Sequence, residues 1–273
     1  MRNIGLVLVQ RGPRVAYEPL LSGVEHGLEE TFVRSDMCLV TRVVHDRSAE
    51  LDVYRYWYAS GAVDAVVLVR LRRDDERVTF LKQLKIPFAA IADAGEVGDF
   101  SAVTIDSASM MRAAVAYLTS RGHRDIAYVK APEDTVLSDV RGRTFLDVAT
   151  GSGLRGRVVS TELSEDGTDE VTALLMTAGD DRPTAVIYDD DVTAVAGLET
   201  IGSLGLSVPS DVAVMALNDS VRCQSATPSV TAMSDEAHQI GILTARCLIQ
   251  SVESRSLKVV GAPDSFIVQR ASA

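Results

Sequence analysis

What most limits the fold of this chain is that short β-branched runs alternate with amphipathic stretches of helical period, in two consecutive series. The first series opens on Ile4-Gly5-Leu6-Val7-Leu8-Val9, with a helical pattern over residues 18–30. The unit recurs as residues 38–44 with 48–60, then 65–69 with 74–84, then 88–91. Strands that read as continuous apolar runs belong to parallel sheets covered on both faces.

The second series follows residues 102–105. Its helix over 107–120 stops at Arg121-Gly122, where glycine supplies a left-handed cap. Strands at 125–129, 158–160, 185–188 and 212–217 alternate with helices near 141–149, 169–178 and 191–204. The expected fold class is therefore α/β: two doubly wound parallel-sheet lobes with a cleft between them. A last helix over 235–252 and short apolar pieces at 258–260 and 266–268 have no sheet of their own. The economical path returns the chain to the first lobe and then to the second, a multi-crossing hinge. The expected domains are 1–105 plus 235–262, and 106–234 plus 263–273.

With 273 residues, 47% hydrophobic and 24% charged, the chain has material for two buried cores. Its formal net charge of -11 opposes contact with phosphate backbones and anionic membranes. Its apolar runs are too short to span a bilayer. Met1-Arg2-Asn3 leads directly into a strand without a leader-like apolar segment, so a cytoplasmic location is expected. Cys38, Cys223 and Cys247 are odd in number and far apart, which argues against both disulfides and a zinc site.

No Ser-His-Asp order, nucleophile elbow or phosphate loop is present, so neither an enzyme nor a cofactor is expected. Asp189-Asp190-Asp191 stand on a strand-to-helix turn, where three consecutive acids point in different directions. No His or Glu at ligand spacing joins them, so no metal is expected. The Tyr54-Arg55-Tyr56-Trp57-Tyr58 cluster reads as core packing or a subunit interface rather than a ligand box.

The stretch Leu118-Thr119-Ser120-Arg121-Gly122-His123-Arg124-Asp125-Ile126-Ala127 resembles the signature of LacI/GalR (lactose-repressor-type) transcriptional regulators. The likeness continues through Pro183-Thr184-Ala185-Val186-Ile187, Gly205-Leu206-Ser207-Val208-Pro209 and Leu217-Asn218-Asp219. It closes on Thr227-Pro228-Ser229 and Phe266-Ile267-Val268-Gln269-Arg270. The resemblance implies a type I periplasmic-binding-protein-like fold that binds a small polar effector, a sugar or another polar metabolite, and forms a homodimer. It implies contact with operator DNA only through an N-terminal helix-turn-helix headpiece, which these 273 residues do not contain. A transporter's periplasmic sugar-binding protein shares the architecture and is the rival reading.

A polar-ligand clamp draws on the C-terminal ends of parallel strands. After the first strand, Arg11 and Arg14 are candidates to meet an anion and Tyr17 to stack on a sugar face, with a solvated loop as the alternative. Asp93 follows the strand at 88–91, where the family often has a ligand-facing carboxylate; a turn role is the alternative. Arg141, with Phe145 four residues on, matches the family's Arg-x-x-Gly-Phe element with Thr144 in place of glycine. Its planar fork suits two hydroxyls or a carboxylate. Its loss is expected to weaken binding and spare the fold, unless it is a structural ion-pair partner. Asp190 and Asn218 stand where the family has Asn and Asp, an exchange of amide and acid. Asp235, read as early in the last helix, is a candidate ligand contact or a favourable helix-terminal charge.

Overall fold

The computed structural model describes residues 2–9, 19–95, 97–130, 135–160 and 165–273. The chain begins with β1 (Arg2–Val9), α1 (Pro19–Arg34), β2 (Met37–Val44), α2 (Arg47–Ser60) and β3 (Ala65–Leu68). It continues through α3 (Glu76–Leu84), β4 (Phe88–Asp93), β5 (Ser101–Ile105), α4 (Ser107–Ser120), β6 (Asp125–Lys130) and α5 (Val136–Gly151). Next come β7 (Arg155–Ser160), α6 (Glu165–Met176), β8 (Ala185–Tyr188), α7 (Asp191–Ser203), β9 (Ala213–Ala216) and α8 (Val221–Ser225). It ends with β10 (Thr231–Ser234), α9 (Ala237–Ser254), β11 (Val259–Gly261) and β12 (Phe266–Val268).

The chain divides into two compact units. One comprises Met1–Asp106, Thr135–Leu137 and Glu236–Asp264; the other comprises Ser107–Asp134, Ser138–Asp235 and Ser265–Ala273.

The first unit holds a six-stranded sheet in the order β11-β5-β4-β3-β1-β2, with every pairing parallel. β3 and β4 are buried along their whole length, as their unbroken apolar runs demand. One core face joins Leu6, Val67 and Ile91 to Leu28 and Phe32 of α1 and Ile240 and Leu248 of α9. The other joins Val66 and Leu68 to Tyr54 and Trp57 of α2. The aromatic cluster thus divides, with Tyr54 and Trp57 in the core while Tyr56 and Tyr58 stay exposed. Gly5 makes this possible: a Cβ there would lie 2.4 Å from the Trp57 ring.

The second unit repeats the plan in the order β12-β10-β9-β8-β6-β7, parallel except that β12 runs antiparallel to β10. The two return strands end in different sheets, β11 beside β5 and β12 beside β10. The last helix begins at Ala237 rather than Asp235, because Glu236 takes a left-handed φ of 52° that no helix interior accommodates. This α/β architecture of two mostly parallel sheets agrees with the expected fold class.

Candidate functional site

In each sheet the strand order reverses beside the first strand of the series, between β1 and β3 and between β6 and β8. The carboxyl ends of strands at such a reversal are where open α/β sheets hold ligands. In the second unit β6 and β8 pair up to Val129 and Tyr188, and Asp189 N extends the ladder to Val129 O at 3.0 Å. Leu217 N donates to Tyr188 O at 2.9 Å, bringing the end of β9 alongside. Asp189, Asn218 and Asp235 therefore border one strand-end face.

Helix α5 projects Arg141 and Phe145 from one side, four residues apart. Phe145 packs its ring 5.8 Å from that of Tyr128 on β6, and both rings are buried. Tyr128 Oη donates to Asp189 Oδ1 at 2.5 Å, and Arg141 Nη1 donates to the same oxygen at 3.1 Å. Ser138 Oγ donates to Asp189 Oδ2 at 3.2 Å, and Arg141 Nη2 reaches Met110 Sδ of α4 at 3.5 Å. Arg141 is buried, with 9% of the residue exposed. Arg141 Nε finds no hydrogen-bond partner among the described residues. Burial opposes the charge on Arg141, but the Asp189 carboxylate, with Asp235 contributing, outweighs it and holds the pKa above the ordinary arginine value. Burial, then the Asp189 charge, pushes the Tyr128 phenol far up, so it stays a donor.

Asp190 is the N-cap of α7: its Oδ1 accepts from Thr193 N at 2.7 Å and from Thr193 Oγ1 at 2.8 Å. Burial raises its pKa against those bonds. Asp191 starts α7 fully buried, with Arg222 Nε 4.0 Å away, and burial raises its pKa as well. Asn218 is buried, and its Oδ1 has no hydrogen-bond partner among the described residues. Its neighbour Asp219 is spent in a bidentate pair with Arg270, at 2.7 Å on each arm. Asp235 is buried just after β10, and its charge acts on Arg141.

In the first unit Asp93 ends β4, and its Oδ1 accepts from Gly95 N at 3.1 Å, closing a turn. Arg11, Arg14 and Tyr17 lie outside the described residues. A cavity of about 230 Å³ opens at the opposite, amino ends of the strands, lined by Arg2, Met37, Asp64 and Leu248. It touches none of the candidate residues.

Two features escaped the sequence reading. Asp189 was one of three equivalent acids in the sequence, yet it alone receives three side-chain donors. In the first unit Arg77 is buried between Asp75 and Glu50, donating to Asp75 Oδ2 at 2.7 Å and Glu50 Oε1 at 2.8 Å, while Tyr54 donates to Glu50. That cluster ties α2 and α3 to the end of β3, where Arg77 Nη2 caps the carbonyls of Val69 and Arg70. Among the described residues no group of three or more His, Cys, Asp or Glu is arranged to hold a metal. The three cysteines are free thiols.

Residues 115–272 match the family described as periplasmic binding protein-like domain. A solved LacI family transcriptional regulator from Bifidobacterium animalis subsp. lactis is 30% identical, with a TM-score of 0.89 over 100% of this chain and 97% of its own. The chain belongs to the LacI family of transcriptional regulators. A curated relative of this LacI-family chain, the HTH-type transcriptional regulator CelR of Thermobifida fusca, is 24% identical over 94% of the chain and 77% of its own length. A solved transcriptional regulator CelR-cellobiose complex shares the fold, at 23% identity and a TM-score of 0.89 over 99% of this chain and 84% of its own. The chain spans between 55% and 77% of the length of such curated relatives. Membership in this family favours the regulator reading over the transporter one.

Proposed function

We propose that this chain is the effector-binding part of a LacI-type regulator working in the cytoplasm. In this reading it is a binding module that catalyses nothing. The strand-end face of its second unit takes a hydroxyl-bearing effector, a sugar or sugar derivative, whose binding controls attachment to DNA. The observation that carries this is the pairing of two unsatisfied buried groups on that face, the Arg141 Nε donor and the Asn218 Oδ1 acceptor. Leaving such groups unpaired costs roughly 1–3 kcal/mol each. Hydroxyls both donate and accept, so vicinal hydroxyls satisfy the donor and the acceptor together.

The cellobiose complex of the CelR relative supports the sugar class. Asp93, at the strand end of its own unit, is the acceptor there for a further hydroxyl. Arg11, Arg14, Tyr17, Asp190 and Asp235 remain candidate contacts, with Asp190 Oδ1 already occupied by its cap. A homodimer belongs to the same reading, because a two-fold operator calls for a two-fold protein; light scattering that returns a monomer at tens of micromolar would contradict it.

Titration calorimetry with a panel of neutral mono- and disaccharides beginning with cellobiose tests the proposal. The expected result is a binding sugar whose affinity falls about tenfold to a hundredfold in Arg141→Ala, from bonds worth roughly 1.5–3 kcal/mol each. A wild type that binds none of the panel sinks the effector class. Unchanged affinity in the variant sinks the site.

A further inference from the structure

Because the Arg141 charge is already answered by a buried carboxylate on its own unit, we propose that Asp189 makes this face select uncharged or cationic effectors and reject anionic ones such as sugar phosphates. The inference rests on the effector site proposed above and names the charge class of its ligand.

A buried guanidinium with nothing opposite it is an anion site in waiting, and its planar fork suits phosphate and carboxylate. Here the fork is committed. Nη1 donates to Asp189 at 3.1 Å and Nη2 to Met110 Sδ at 3.5 Å, and Nε is the guanidinium nitrogen with no partner among the described residues. For its charge to be free for an anion, Arg141 would have to release Asp189. That carboxylate cannot swing away with it, because Tyr128 Oη at 2.5 Å and Ser138 Oγ at 3.2 Å hold it from two further sides. Tyr128 is itself fixed in the core against Phe145. An anion would therefore sit beside an uncompensated buried carboxylate, an arrangement that like-charge repulsion in a poorly solvated site forbids.

The rest of the face adds to this. Lys130 and Arg270 are spent on Asp139 and Asp219, each at 2.7 Å. Asp190 and Asp235 add negative charge, and the influence of Asp235 already reaches Arg141. Among the described residues the face leaves the Arg141 Nε donor and the Asn218 Oδ1 acceptor unsatisfied, within a negative surround. That suits a hydroxyl or an amine and not a phosphate.

Melting curves test the inference with four probes at constant ionic strength: cellobiose, D-glucosamine, D-glucose 6-phosphate and sodium sulfate against sodium chloride. In the wild type, sulfate and the sugar phosphate should raise the melting temperature no more than they raise that of Arg141→Gln, which reports the general salt effect. In Asp189→Asn the freed guanidinium should accept them, raising the melting temperature by roughly 2–4 °C, and the double variant Arg141→Gln/Asp189→Asn should lose that response. Recovery of folded Asp189→Asn only in sulfate would support the same conclusion. The inference is overturned by a wild type that either anion stabilises and Arg141→Gln does not, or by a folded Asp189→Asn indifferent to both. If no sugar of any charge binds, the effector class fails, while the sulfate response of Asp189→Asn still decides the role of Asp189. If neutral sugars and sugar phosphates bind the wild type alike, the effector site stands and this inference falls.

Discussion

Arg141 is both a ligand candidate and half of a buried ion pair, and the second role alters what its removal does. The sequence alone led to the expectation that Arg141→Ala spares the fold. With Asp189 opposite it, truncation strands a buried carboxylate, and breaking such a pair costs about 3–5 kcal/mol. Ligand-free Arg141→Ala should therefore show a clearly lower urea midpoint than the wild type, in addition to weaker effector binding. An unchanged midpoint would mean that the pair does not form in solution. The Arg77 cluster makes a separate prediction about acid. Burial alone would raise the Asp75 carboxyl, but its bonds from Arg77 and the Arg77 charge outweigh burial and hold it below the ordinary aspartate value. A carboxyl depressed in the folded state stabilises above its unfolded pKa and ceases to do so as pH falls through the folded one. Wild-type stability should thus fall as pH drops below the ordinary aspartate range, and Asp75→Asn should lose stability at neutral pH and fall less steeply on that acid limb. Parallel acid limbs in the two proteins would refute this.

At the level of elements, the strands were legible because buried parallel strands write themselves as apolar runs, and β8 and β12 begin and end where the sequence put them. Helix α4 was legible through Gly122, whose φ of 93° ends it. The start of α9 was not, because the left-handed Glu236 carries none of the usual punctuation of glycine or asparagine. The candidate site was legible as far as Arg141 and Asn218, whose positions follow from strand ends and motif. Asp189 was not, since which of three consecutive acids turns inward depends on Tyr128, Ser138 and Arg141, distant in sequence. The glycines of α1 and α9 show the same limit. Gly27 and Gly241 look like poor helix residues, yet a Cβ at Gly241 would fall 2.1 Å from Val24 O and one at Gly27 2.1 Å from His238 O. The two helices meet backbone to backbone, which only glycine permits. Gly241→Ala should gain about 1 kcal/mol of helix propensity and lose more to the forced separation, for a net destabilisation of roughly 1–3 kcal/mol. A urea midpoint at or above that of the wild type would show that the helices can part freely.

For the molecule as a whole, the dominant physical fact is the net charge of -11, which opposes approach to a duplex. The cations of the strand-end face in the second unit are consumed by carboxylates: Arg141 by Asp189, Lys130 by Asp139, Arg270 by Asp219. In the first unit Arg77 is buried between Asp75 and Glu50. A cation paired in this way releases no counterions from DNA, and counterion release is what drives non-specific attachment. These 273 residues should therefore bind neither random nor operator-like duplex with appreciable affinity, with or without effector. In a gel-shift titration, complexes should be missing even at about 50 mM salt, where electrostatic binding is strongest. A weak shift that vanishes on raising salt to about 200 mM would mean that cations outside these pairs attract the duplex, against this expectation. A sequence-dependent shift that survives the higher salt would place a DNA-reading surface on one of the two units, and the assignment of this chain to effector sensing alone would have to be given up.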